Sequence, residues 1–123
     1  SELGGFGQNP HGNFPCGGSS AGSAIAVAAG FCDAALGTET RGSLMIPGFR
    51  NGVYSFKPTR GLVSRTGIIP LSSSFDAPGV LTRNPALLKE VFLSMIGVDP
   101  ADDQSFELRS KESKLVEKES SYV

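Results

Sequence analysis

Two glycine-supported serine turns constrain this chain more than anything else in it. The first reads Cys16-Gly17-Gly18-Ser19-Ser20-Ala21-Gly22-Ser23 and the second Gly37-Thr38-Glu39-Thr40-Arg41-Gly42-Ser43, with a short, almost wholly apolar segment, residues 24–36, between them. A segment so free of polar side chains has to be buried, which fixes the turns at its two ends to a rigid core. A flexible Gly/Ser linker does not run straight into six apolar residues. Two such turns hold two hydroxyl groups on stiff backbone, as a serine nucleophile and a partner for its proton require.

The surrounding pattern predicts short elements. Ser20 or Ala21 starts a helix whose body is Ala24-Ile25-Ala26-Val27-Ala28-Ala29 and whose end is Gly30. Ala34-Ala35-Leu36-Gly37 is expected as a buried strand. Ser43-Leu44-Met45-Ile46 opens a short helix that Pro47 and Gly48 limit. Val53-Tyr54-Ser55-Phe56 alternates as a strand does and is closed by Lys57-Pro58-Thr59. Residues 61–74 read as loop anchored by Ile68-Ile69-Pro70-Leu71, and Gly79-Val80-Leu81-Thr82 as a further strand. The clearest helix is 84–97, with Asn84 as N-cap, Pro85 in first position and Gly97 as the terminating residue. Its stripe of Leu87, Leu88, Val91, Phe92, Met95 and Ile96 is assigned to the core.

Composition excludes several classes. A formal charge of -1 and an apolar fraction of 39% describe an ordinary soluble globular chain with no basic face for nucleic acid or membrane. No apolar run approaches the roughly 18 residues that a membrane helix needs. Cys16 and Cys32 are too few for a disulfide scaffold, and Cys32 reads as a buried free thiol. No metal site is suggested, since neither cysteine has a nearby His or second Cys. The one histidine, His11, lies in the glycine- and proline-punctuated loop 1–15 and reads as a hydrogen-bonded loop side chain, not a catalyst. The start Ser1-Glu2-Leu3-Gly4-Gly5 lacks a signal-peptide pattern, and with so little cysteine the expectation is an intracellular chain. After Asp99-Pro100 the sequence turns polar. The expected division is a partial domain over 1–100 and a charged tail over 101–123, with residues 107–119 solvated or disordered.

The turns admit two readings. Gly18-Ser19-Ser20-Ala21-Gly22 matches G-x-S-x-G, the nucleophile elbow of α/β-hydrolases, with Ser20 as nucleophile. That elbow needs a strand leading in, whereas Asn13-Phe14-Pro15-Cys16-Gly17 is broken by proline and glycine, and its histidine base follows the serine in the chain, whereas His11 precedes it. The second reading uses both turns. Gly17-Gly18-Ser19-Ser20-Ala21-Gly22-Ser23-Ala24, Leu36-Gly37-Thr38-Glu39-Thr40-Arg41-Gly42-Ser43, Pro47 and Phe56-Lys57-Pro58-Thr59-Arg60-Gly61 together resemble the amidase signature family. Gly67-Ile68-Ile69-Pro70, Phe75-Asp76 and Gly79-Val80-Leu81-Thr82-Arg83 continue the likeness, which covers roughly residues 16–100.

The resemblance implies an α/β fold, part of an α/β/α core with a mixed sheet. It also implies a Ser–cis-Ser–Lys mechanism that cleaves carboxamides, carbon–nitrogen bonds other than peptide bonds, through an acyl-enzyme with no metal or cofactor. Ser43 aligns with the nucleophile, and Ser19 with the bridging serine after a cis peptide bond. The two stand 24 residues apart, in keeping with the family. The backbone N–H groups of Thr40, Arg41, Gly42 and Ser43 align with the oxyanion hole. Ser20 is expected to brace its turn.

Three departures go with the likeness. No lysine precedes Ser19, and Lys57 sits in the structural Lys-Pro-Thr motif, so the base lysine is expected outside these residues. Arg41 stands where glycine is usual, and its guanidinium is expected to face the pocket and favour an anionic substrate group. Met45 replaces a frequent arginine. A small-molecule amide is the expected substrate, with its identity open. The amidotransferase subunit of tRNA-dependent glutamine synthesis belongs to the same family and is an alternative. A further alternative is a truncated, inactive chain that only packs against a partner or the remainder of an amidase.

Overall fold

The computed structural model describes residues 2–105. Within them the order is α1 (Ala21–Ala28), β1 (Ala34–Glu39), α2 (Met45–Arg50), β2 (Tyr54–Phe56), β3 (Ala77–Thr82) and α3 (Pro85–Met95). The charged stretch 107–119 lies outside the described residues. The fold is α/β. Its sheet has the order β1-β3-β2 with both pairings antiparallel, so the parallel pairs of a mixed sheet are not found among the described residues.

β3 is the axis, with all six of its residues buried. Register sorts the side chains onto two faces because strand side chains alternate. Ala35, Leu81 and Ser55 share one cross-strand row, and Gly37 and Gly79 pair in the next row of the same face. α1, Leu44 and α2 cover that face. Ala24, Val27, Leu44, Val53 and Leu81 form the core cluster there, with Cys32 packed partly buried against it as a free thiol. Leu36, Val80 and Phe56 lie on the opposite face, where Phe92 of α3 meets Phe56 edge-on at 4.8 Å between ring centroids. Helices thus cover both faces of the sheet. The α3 stripe faces inward, yet none of its residues is fully buried, because Leu36 and Tyr54 leave that face partly open.

The glycine pair decides how close the layers come. A Cβ on Gly37 would meet the Ser20 hydroxyl at 2.6 Å and Leu44 at 2.8 Å, and one on Gly79 would meet the Phe56 carbonyl at 2.2 Å. Leu44, fully buried, fills the space that the missing side chains leave.

Element ends follow local chemistry. α1 closes at Gly30 in the left-handed region, with Gly30 N–H donating to Val27 O and Phe31 N–H to Ala26 O. Ser20 precedes α1 without capping it by its side chain. Its hydroxyl donates instead to Thr38 O at 3.2 Å and accepts from Thr38 N at 3.3 Å, bracing the turn against β1. α2 corrects an expectation: it begins at Met45, not Ser43, and runs through Pro47 and Gly48 to Arg50. Pro47 lies in the first turn, where backbone N–H groups have no helical partner to lose, and Gly48 lets the helix rest on Ser55. α3 starts as expected, Asn84 Oδ1 accepting from Ala86 and Leu87 N–H. It ends earlier, at Met95. Ile96 turns extended to pair with Val63, and Gly97 N–H donates to Leu62 O, so Gly97 is not a left-handed cap.

Candidate active site

The two serine turns meet at the end of β1. Ser20 N–H donates to Ser43 O at 3.1 Å, joining the turns directly. The Gly18–Ser19 peptide bond is cis. Ser19 and Ser43 line one cavity of about 100 Å³, together with Thr38, Thr40, Ala77 and Pro78 from the strand ends and Ile68, Ile69 and Leu71 from the loop before β3. Arg65 and Asp76 supply its charge.

The turn after β1 is held from two sides by carboxylates. Glu39, 7% exposed, accepts from Leu44 N at 2.8 Å and Met45 N at 2.9 Å. Burial pushes the Glu39 carboxyl up, but hydrogen bonds from the Met45, Leu44 and Gly42 backbone, helped by the charge of Lys57, outweigh it and leave its pKa lowered. On the other side Asp76 accepts from the Thr40 hydroxyl. Its second oxygen accepts from Leu71 N at 2.7 Å and Ser72 N at 2.8 Å. The Thr40 hydrogen bond first, then that from Ser72, lowers its pKa.

Within the turn the left-handed residue is Gly42, at φ +81°, and no residue other than glycine has positive φ among those described. Arg41 therefore carries no left-handed strain. Its side chain is exposed and is not among those lining the cavity, which corrects the expectation of a guanidinium facing the pocket. Met45 is half exposed, and its sulfur accepts from the Ser55 hydroxyl at 3.6 Å. His11 contributes nothing to the cavity. Its Nε2 lies 3.0 Å from Asn51 O, a carbonyl that can only accept, so the ring donates there and pins the N-terminal loop to the end of α2.

Arg65 and Asp76 are site residues that reading the sequence missed. Arg65 is fixed by Asp102, Nη2 to Oδ1 at 2.8 Å and Nε to Oδ2 at 3.1 Å, and donates from Nη1 to Ser73 O at 2.6 Å. Hydrogen bonds from Arg65 dominate burial and bring the Asp102 carboxyl down to about 2. The early signals carried no role: Arg65 stands ahead of the apolar Ile68-Ile69, and Asp76 belongs to the Phe75-Asp76 likeness ahead of β3.

The α/β scaffold thus brings residues of two serine turns to one cavity, with a cis peptide bond before Ser19. The chain belongs to the amidase family, whose family model matches residues 2–122. It is 54% identical over 86 residues to a mitochondrial glutamyl-tRNA(Gln) amidotransferase chain of Aedes aegypti, covering 70% of this chain and 17% of that one. To the corresponding glutamyl-tRNA(Gln) amidotransferase chain of Methanothermobacter thermautotrophicus it is 50% identical over 86 residues, covering 70% and 19%. Among solved structures it is similar to the peptide amidase of Stenotrophomonas maltophilia. The TM-score is 0.81 at 46% identity, covering 85% of this chain and 22% of that one. The chain thus spans about a fifth of the length of these relatives.

Proposed function

We propose that these residues form the serine half of an amidase site that cleaves a carboxamide through an acyl-enzyme. Ser43 is the nucleophile, Ser19 relays its proton, and the base is a lysine outside these residues. The observation that carries the reading is the single cavity lined by both serines. A serine hydroxyl attacks a carbonyl only when a base takes its proton, and a second hydroxyl on rigid backbone lets a more distant neutral lysine act as that base. The tetrahedral oxyanion is met by N–H groups of Thr40, Arg41 and Ser43, a donor of this kind contributing about 3 kcal/mol, while the fourth expected donor, Gly42, is engaged by the Glu39 carboxylate. Ammonia or an amine leaves with the proton returned through Ser19, and water then releases the acid.

Release of ammonia from carboxamides tests this. Ser43→Ala is expected to lower kcat by at least ~10³-fold, and Ser19→Ala to lower it by a comparable order. Activity retained in Ser43→Ala would sink the reading.

A second reading is favoured by the 54% identity to a glutamyl-tRNA(Gln) amidotransferase chain. Here the same chemistry releases ammonia from glutamine for use by a partner protein. Ammonia release from glutamine but not from other carboxamides would favour that role.

A further inference from the structure

We propose that Asp76 is the positioning residue of this site: its carboxylate holds the turn carrying Ser43 in register with the 68–72 segment that also lines the cavity. This rests on Ser43 being the nucleophile. Glu39 pairs with Ala77 at the end of the β1–β3 ladder, so the next residue on one strand, Thr40, and the preceding one on the other, Asp76, come side by side. Asp76 is 7% exposed. One carboxylate oxygen accepts from the Thr40 hydroxyl, the other from the Leu71 and Ser72 amides. Hydrogen bonds to an ionised acceptor are roughly twice as strong as neutral ones. One buried carboxylate thereby joins three walls of the cavity: the turn, the 68–72 segment and β3.

Glu39 holds the far end of the same turn through Leu44 and Met45. Ser43 and the donors beside it are suspended between the two carboxylates. The Thr40 hydroxyl is the link through which Asp76 acts, so cutting it leaves the Asp76 hydrogen bonds to Leu71 and Ser72 in place and frees the turn. Attack on a carbonyl tolerates little misplacement, about 1 Å costing ~10²-fold. The loss therefore falls on turnover more than on binding.

Thr40→Val deletes the hydroxyl at nearly constant shape, and Thr40→Ser keeps it. On the full chain, kcat and KM for a small carboxamide are read for both, with Asp76→Ala and the double variant. Thr40→Val is expected to lower kcat by about tenfold to a hundredfold with KM within about threefold, and Thr40→Ser to recover most of it. Asp76→Ala falls at least as far, and Asp76→Ala/Thr40→Val falls no further than Asp76→Ala alone, because both act through one bond. An unchanged kcat in Thr40→Val, or Thr40→Ser as slow as Thr40→Val, overturns the proposal, and neither result depends on Asp76→Ala folding. Ser43→Ala run alongside separates the two claims. Its inactivity beside a fully active Thr40→Val removes the positioning role alone, whereas an active Ser43→Ala removes the nucleophile and the positioning role with it.

Discussion

Asp102 shows how a single side chain can tie a loop to the site without lining the cavity itself. Its carboxylate takes Nε and Nη2 of Arg65 and the Arg65 backbone N–H, leaving Arg65 on the cavity wall in one fixed pose. The pKa is lowered by folding, so the sign of the pH dependence is set. The stabilisation is complete above the ordinary carboxylate value near 4 and is lost as pH falls through about 2. Asp102→Asn is expected to remove on the order of 2 kcal/mol at neutral pH. The gap between wild type and variant in urea unfolding should then shrink between about pH 4 and pH 2. A gap that stays constant over that window would show that the Arg65–Asp102 pair is not what links the fold to pH.

Between elements, distance of approach is the controlling quantity. Gly37 and Gly79 face each other across β1 and β3 so that Leu44 and Ser20 can sit directly on the sheet. Gly79→Ala drives a methyl into the Phe56 carbonyl and Leu44, and is expected to lower stability by about 1–3 kcal/mol or more, read as a lower urea midpoint at unchanged slope. A variant as stable as wild type would mean that the layers are looser than this packing implies.

The same scale shows what was legible in the sequence. The Gly30 stop of α1 and the Asn84-Pro85 start of α3 are written in local chemistry, and each falls where capping rules put it, whereas Ser20 opens α1 without a side-chain cap. The two serine turns announced themselves through glycines flanking an apolar run, but the expected burial of that run holds in full only for Ala24 and Val27, whereas Phe31 and Leu36 stay exposed. Pro47 misled, because a proline stops a helix only beyond the first turn, and where the helix starts depends on Glu39 reaching forward to Leu44 and Met45. Gly97 misled because a pairing with the 62–63 segment, distant in sequence, draws the chain out of α3 first. Arg65 was invisible for the same reason, since its partner Asp102 lies 37 residues away. Asp76 stood in the Phe75-Asp76 likeness without a role, because the Thr40 contact that ties it to the site spans 36 residues while its Leu71 and Ser72 contacts are local.

At the scale of the molecule, the described residues hold no helix long and apolar enough to cross a membrane. Two features bear on function together. The cavity contains serines from both turns, and the one histidine is committed to the Asn51 carbonyl away from it. This arrangement favours the two-turn reading over the nucleophile elbow, in which Ser20 would react. Ser20 already donates to and accepts from Thr38, a bracing role that leaves it poorly placed to attack.

Labelling with a fluorophosphonate probe of the protein with its base lysine present, followed by peptide mapping, tests Ser43 most directly, since the reagent bonds to an activated serine oxygen. The expected adduct is on Ser43, abolished in Ser43→Ala and retained in Ser20→Ala. An adduct on Ser20 that survives Ser43→Ala would contradict the account and restore the elbow.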